Sequence, residues 1–235
     1  MKTIVLGLIL LGFAGSILAI EPAALDNRVR ALTAKFETMQ AKPDKSIPPD
    51  VLSRARGIIL LDRTKAGFLF AYQGGGGVAM VKDANAKPDK WSPVAFLGAS
   101  EASLGFQIGG EQDFYVILLM SSDANRLLTE PNFTFGGEAR GTAGNSSGGQ
   151  EGKVSTVEQP YLVYSDRKGL YGGATIKGGA VTPDEKANFI YYGQSLTMRD
   201  ILLNHKVEPT DSATDLAKSI AMYSKIHDDT YSARR

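Results

Sequence analysis

Apolar residues recur at alternating intervals of four and three near the start of the chain: Leu25, Val29, Leu32, Phe36 and Met39. That spacing is one stripe of a helix and predicts an amphipathic helix over residues 22–41. Arg28, Arg30, Lys35 and Lys42 fall off the stripe. The stripe either packs on the chain's own domain, with the charges solvated, or lies on an anionic lipid surface with basic flanks. The first arrangement is the expected one. Pro-rich loop chemistry follows in 43-PDKSIPPDVLSRARG-57, then a short helix over 49–55 with Gly57 near its end. Beyond it the pattern turns β-like. IILLD, GFLFAYQ, GVAMVKD, PVAFLGAS, SLGFQIGG, FYVILLMSS, NFTFGGEA, KVSTVE and PYLVYSD are short, rich in Val, Ile, Phe and Tyr, and punctuated by Gly, Pro, Asp or Asn. Helical signals return late. Thr182-Pro-Asp-Glu185 offers Thr182 as N-cap with Pro at the first helical position. Thr197-Met-Arg-Asp200 opens a second short helix, and residues 211–226 form a third, with Leu216, Ile220 and Tyr223 on one side. The order predicts an α+β fold: an antiparallel meander or barrel-like sheet, an N-terminal helix and C-terminal helices.

Four consecutive glycines in 72-YQGGGGVAMV-81 raise the question of a phosphate-binding loop. A Walker loop requires Gly-Lys-Ser/Thr at its end, and here Gly77 is followed by Val78. Gly74, Gly76 and Ala79 fit GxGxxA, but that fingerprint needs a helix next, and VAMVKD is strand-like. The stretch therefore predicts a hairpin turn at residues 74–77 between strands at 67–72 and 78–82, with glycine supplying positive φ. A weaker echo links Asp62-Arg63-Thr-Lys65-Ala-Gly67-Phe68 with Asp166-Arg167-Lys168-Gly169-Leu170. It is either a duplicated hairpin or two turns built from common turn residues; the second is preferred.

The N-terminus carries Lys2 and then no charge from Thr3 to Ile20. This is the layout of a secretory signal peptide, with cleavage expected at Ala19 and Ser16 as the second choice. An uncleaved membrane anchor is the rival reading. The expected organisation is a signal peptide at 1–19, an N-terminal helix and linker at 20–46, the main domain at 47–227 and a tail at 228–235. The chain has no Cys, which excludes disulfides, thiol catalysis and Cys-ligated zinc. Export without disulfides fits a periplasmic or secreted bacterial protein. Lys plus Arg is 26 against 25 for Asp plus Glu, so no global basic field attracts nucleic acid.

Catalytic patterns fail one by one. Gly144-Asn-Ser146-Ser-Gly148 matches GxSxG but lies in the polar run GTAGNSSGGQEG, not on a strand-to-helix turn. His205 and His227 are the two candidate bases, and neither sits in a recognisable motif. Glu101, Glu111 and Asp113 cluster around GFQIGGEQDF without metal-ligand spacing. Trp91, the single Trp, is expected to anchor core or turn. No cofactor, metal or nucleotide is expected, and no enzyme activity.

Together IPPDVLSRARGI, KAGFLFAYQGGGGV, KWSP, GFQIGGE, YSDRKGLYGG, ANFIYYG and DILLN follow the order found in the SYLF family. The chain resembles that family from about Ile47 to Leu216. The resemblance implies a non-catalytic lipid-binding module; eukaryotic members, which carry SH3 or FYVE domains, are associated with phosphoinositides and actin patches. Two features depart from the family. Ser92 and Pro93 are adjacent where the family usually has one residue between them, and a Gly-Pro-x-Gly-Arg loop reads AGNSSGG here, without the Arg. The expected function is binding of anionic, phosphoinositide-like lipid headgroups or a membrane surface in the bacterial envelope. The expected contacts are Arg54, Arg56, Arg63, Lys65, Arg167 and Lys168, each worth up to about 1 kcal/mol at an anionic surface. The alternative is a structural or protein-interaction domain of the envelope without a lipid ligand. Actin is not expected as a partner of an exported protein, and protein partners are left open.

Overall fold

A computed structural model describes residues 21–64, 76–83, 90–100, 112–129, 161–166, 169–171 and 180–232. The expected signal segment, the 67–72 strand and the GxSxG run lie outside these residues, as do SLGFQIGG, NFTFGGEA and KVSTVE. The first helix is α1, Pro22–Gln40, and its whole apolar stripe is buried: Leu25, Val29, Leu32, Phe36 and Met39 are each at most 2% exposed. The stripe therefore packs on the chain's own core. A short helix α2, Pro49–Arg54, follows and leads into strand β1, Gly57–Thr64. Gln40 fixes the loop between the two helices, since its buried side chain accepts the Ile47 N–H at 2.8 Å.

Strand β2, Gly76–Asp83, pairs antiparallel with β1, Leu61 opposite Gly77. The two-residue β3, Lys90–Trp91, and then β4, Ala95–Ser100, lie on the other edge of β2. Strand β5, Gln112–Leu119, returns to the free edge of β1. Strands β6, Tyr161–Ser165, and β7, Gly169–Tyr171, continue outward from β5, while β8, Ala180–Pro183, adds to β4. The order is β7-β6-β5-β1-β2-β4-β8, every neighbour antiparallel. With its helices this is the α+β architecture the sequence predicts.

Both faces of the sheet are covered, so the central strands read as continuous apolar runs instead of alternating. Ile58 and Leu60 face a cluster with α1, α2 and two later helices: α4, Glu185–Tyr192, and α6, Asp211–Ser232. Ile59 and Leu61 face the opposite cluster, closed by α3, Ser122–Leu127, and α5, Met198–Leu202. Trp91 is 6% exposed and belongs to the first cluster, the core role expected of it.

Three local expectations change. The helix α3 begins directly where the FYVILLMSS strand was expected to continue; Ser121 caps it by accepting the Ala124 N–H at 3.1 Å. The cap of α4 is Asp184, not Thr182, because Thr182 and Pro183 are held in β8 opposite Gly98 and Leu97. Gly76 and Gly77 are strand residues rather than turn residues. Residues 78–79 of β2 are paired on both edges, with β1 and β4, and 80–82 with β1 or β3, so a 67–72 strand is not the partner of this segment. The short helix expected to open at Thr197-Met-Arg-Asp200 is α5, and a capping box between Thr197 and Asp200 closes its start.

Of the two echoing segments, the second leads from β6 into β7, with Ser165 opposite Gly169, while residues 65–75, which follow the first, lie outside the described residues. Their strands flank β5 from either side, and both aspartates reach Phe114: Asp62 is in register with it and Asp166 bonds its backbone.

Helices α1, α4 and α6 are tied by a polar cluster. Asp26 Oδ1 accepts from Ser212 Oγ at 2.6 Å and Tyr191 Oη at 3.2 Å, and Oδ2 accepts Arg30 Nε at 2.9 Å. The Ser212 bond, then the Arg30 contacts and the Tyr191 bond, outweigh burial and hold the Asp26 carboxyl below its ordinary value of 3.8. A carboxylate lowered in the folded state adds stability that is present above 3.8 and is lost as pH falls through the lower native value. Asp26→Asn is expected to cost roughly 1 kcal/mol near neutral pH. The gap to the parent should shrink as the pH falls below 3.8, which urea midpoints at a series of pH values will show. A gap independent of pH would rule out this linkage.

Candidate functional site

The last turns of α1 cross the sheet where β1 runs out, β5 begins and β6 ends. Lys35, Thr38, Met39 and Lys42 of this helix end line a cleft of about 150 Å³ with Phe114 and Asp166. The helix spacing explains the lining: 35, 38, 39 and 42 recur at the three- and four-residue intervals of one face. Lys35 Nζ lies 2.5 Å from Asp62 Oδ2. Asp166 holds the strand end by accepting the Phe114 N–H on Oδ1 at 3.3 Å, while its own N–H donates to the Phe114 carbonyl. Thr38 Oγ1 donates to the Ala34 carbonyl at 2.8 Å.

The opposite end of the sheet carries the other charged group. Arg54 and Arg56 are both exposed where α2 passes into β1. Arg54 sits 3.7 Å from Asp50, and Arg56 forms no ion pair among the described residues. The Arg56 backbone is held by Leu119, Lys82 and Asn125. Lys82 Nζ donates to the Ser53 carbonyl at 2.8 Å and lies 5.4 Å from the Trp91 ring centroid. Burial, followed by the nearby Asp50 charge, pushes the Tyr164 hydroxyl above its usual range beside this helix.

The six cations named from sequence are thus not one patch. Arg54 and Arg56 lie at the start of β1. Arg63 is a backbone partner of Asp113 at its far end, seven residues on, a separation of roughly 23 Å along an extended strand. Lys65, Arg167 and Lys168 lie outside the described residues, as does the side chain of Arg63. Lys35, Lys42 and Lys82 were missed as site residues. The signal for the first two was present, since both fall off the apolar stripe of α1. The position of Lys82 depended on which strand neighbours β2.

Of the other candidates, His205 is exposed at a positive φ of 48° and lies 3.8 Å from Asp83. Ser146, Glu101 and Glu111 lie outside the described residues, as do the side chains of His227 and Asp113. No group of three or more metal-ligating side chains occurs among the described residues. No described helix is long and apolar enough to cross a membrane.

Sheet and helices define an α+β domain with a double-sided core. Residues 100–223, just over half of the chain, match the family model Ysc84, described as Las17-binding protein actin regulator. The chain belongs to this family, the SYLF family that its motifs resemble. It is 31% identical over 177 residues to LAS seventeen-binding protein 3 of Saccharomyces cerevisiae, an alignment covering 74% of this chain and 38% of that protein. It is 34% identical over 175 residues to Protein YSC84 of the same species, covering 71% of this chain and 36% of the relative. To SH3 domain-containing YSC84-like protein 1 of Xenopus laevis it is 30% identical over 183 residues, covering 76% and 54% respectively. The chain therefore spans about half or less of the length of these relatives.

These names correct one expectation. Actin was set aside as a partner because the N-terminal segment reads as an export signal, an argument that uses nothing of the domain itself. The matching family is described as an actin regulator, so that exclusion does not stand.

Proposed function

We propose that this chain is a non-catalytic binding domain that docks on anionic lipid headgroups at a membrane surface. The observation that carries the reading is the pair of exposed guanidinium groups, Arg54 and Arg56, where α2 enters β1. Arg56 projects from backbone bonded to β5 and β2, and Arg54 from the last turn of α2, so little backbone order is lost on docking. The relatives' names are those of binding and regulatory proteins, which supports a role without catalysis.

Reversing both charges, Arg54→Glu with Arg56→Glu, is expected to weaken binding to vesicles containing phosphatidylglycerol by about tenfold or more. The far-ultraviolet circular dichroism spectrum should stay unchanged. Co-sedimentation at low and physiological salt measures this. A parent protein that ignores anionic vesicles ends the lipid reading.

A second reading is favoured by the relatives: a protein contact of the Las17-binding, actin-regulating kind. Co-sedimentation with filamentous actin tests it, and pelleting with filaments but not with vesicles selects it over the first. We further propose that residues 1–19 are a cleavable leader and the mature protein is periplasmic or secreted, on the uncharged run from Thr3 to Ile20. N-terminal sequencing of protein recovered from cells decides this. A chain retaining Lys2 and fractionating with membranes means an anchor.

A further inference from the structure

The cleft beneath the end of α1 carries charges of both signs, and among the described residues their salt bridges include only one of each. Lys35 is matched by Asp62 at 2.5 Å. Lys42, just past the end of α1, acts on the exposed Asp44 but forms no salt bridge among the described residues. Asp166 spends Oδ1 on the Phe114 N–H and likewise forms no ion pair among them. Thr38 has committed its hydroxyl proton to Ala34, so its oxygen is left to accept. Met39 and Phe114 supply the apolar part of the lining.

This lining discriminates between ligand types. A simple anion meets the carboxylates of Asp166 and, beside Lys35, Asp62. A divalent cation meets two lysines. A neutral apolar molecule would strip water from Lys42 and Asp166 and return no partner for either. A small zwitterion satisfies both. We propose that the cleft holds an aminoalkyl phosphate, its phosphate toward Lys42 and its ammonium toward Asp166 and Thr38 Oγ1. A volume of about 150 Å³ suits a headgroup and not an acyl chain. The inference rests on the membrane reading and deepens it, since aminoalkyl phosphate is the polar end of a zwitterionic phospholipid. A free aminoalkyl phosphate offers the same chemistry.

The test titrates phosphoethanolamine into the full chain while the Met39 methyl and Phe114 ring resonances are followed by NMR. A saturable shift is expected, weakened about fivefold or more in Lys42→Gln and in Asp166→Asn. Asp166→Asn keeps an oxygen for the Phe114 N–H, so the strand end survives. Ethanolamine alone and inorganic phosphate alone should bind about tenfold more weakly, because each uses one of the two charges. No saturable shift, or variants that bind like the parent, overturns the proposal. Alanine binding as tightly as phosphoethanolamine overturns the phosphate assignment. Vesicles of phosphatidylethanolamine and of phosphatidylcholine separate the sources: a preference for the former, lost in Lys42→Gln, assigns a lipid. Phosphoethanolamine binding without vesicle binding upholds the cleft with a soluble ligand and removes the membrane reading. Anionic-vesicle binding without a phosphoethanolamine shift does the reverse.

Discussion

Gly77→Ala is expected to destabilise the domain by about 3 kcal/mol or more. A β-carbon on Gly77 would lie 2.5 Å from the Leu60 carbonyl oxygen and 3.1 Å from Leu61 Cδ1. The first of these is backbone in β1, and it has nowhere to go. β1 is pinned by β5 on its other edge, and β2 is pinned by β4. Relief therefore requires strands to separate at the centre of the sheet. The glycine is needed for space rather than for a left-handed backbone: among the described glycines only Gly193 has a positive φ, at 66°, where it ends α4. Gly98 of β4, in register with Gly76, is the control. An added β-carbon there meets nothing within 4 Å, so Gly98→Ala should stay within about 0.5 kcal/mol of the parent. Urea unfolding of the two variants tests this. Equal midpoints would show that β1 and β2 do not approach so closely.

The second large effect belongs to Asn188. This residue of α4 is 2% exposed and treats β4 as a neighbouring strand would. Its Oδ1 accepts the Phe96 N–H at 2.8 Å, and its Nδ2 donates to the Phe96 carbonyl at 3.3 Å. The Asp184 N–H donates to the same carbonyl at 3.0 Å, where β8 has just ended. One amide side chain thus closes a sheet edge that β8 leaves short. Asn188→Ala strands the Phe96 N–H in the core and is expected to cost about 2–4 kcal/mol. Asn188→Asp gives a sharper test. Ionised, the new carboxylate faces the Phe96 carbonyl oxygen without a proton to donate. Protonated, it reproduces both bonds. Its folded-state pKa must then lie above its unfolded one, so stability is recovered at low pH and lost as pH rises through the folded value. Unfolding midpoints for Asn188→Asp should approach the parent's as pH falls from 7 toward 4. A deficit that ignores pH would mean that the side chain's shape, and not its donor, matters.

Much of this molecule was written locally. The stripe of α1 comes from the 3.6-residue period, and each of its five positions is buried. The capping box of Thr197 and Asp200 closes between residues three apart, so the sequence around it was sufficient. The failure of the nucleotide fingerprint was legible too, because the residues after Gly77 are β-prone. Pairing is where local reading stopped. That β5 inserts beside β1, bringing the Asp62 and Asp166 strands to either side of Phe114, depends on contacts more than fifty residues apart in the chain. So does the Asn188 bridge to Phe96, ninety-two positions away. Thr182 had the chemistry of an N-cap but was taken by a strand, and Asp184 served in its place. The cations read from sequence were grouped by residue type, whereas their places follow from the length and direction of β1, which carries Arg56 and Arg63 toward opposite ends of the sheet. Local periods fix which face of an element is buried; only the packed sheet decides what lies opposite, since register and neighbour order are set by the whole core at once.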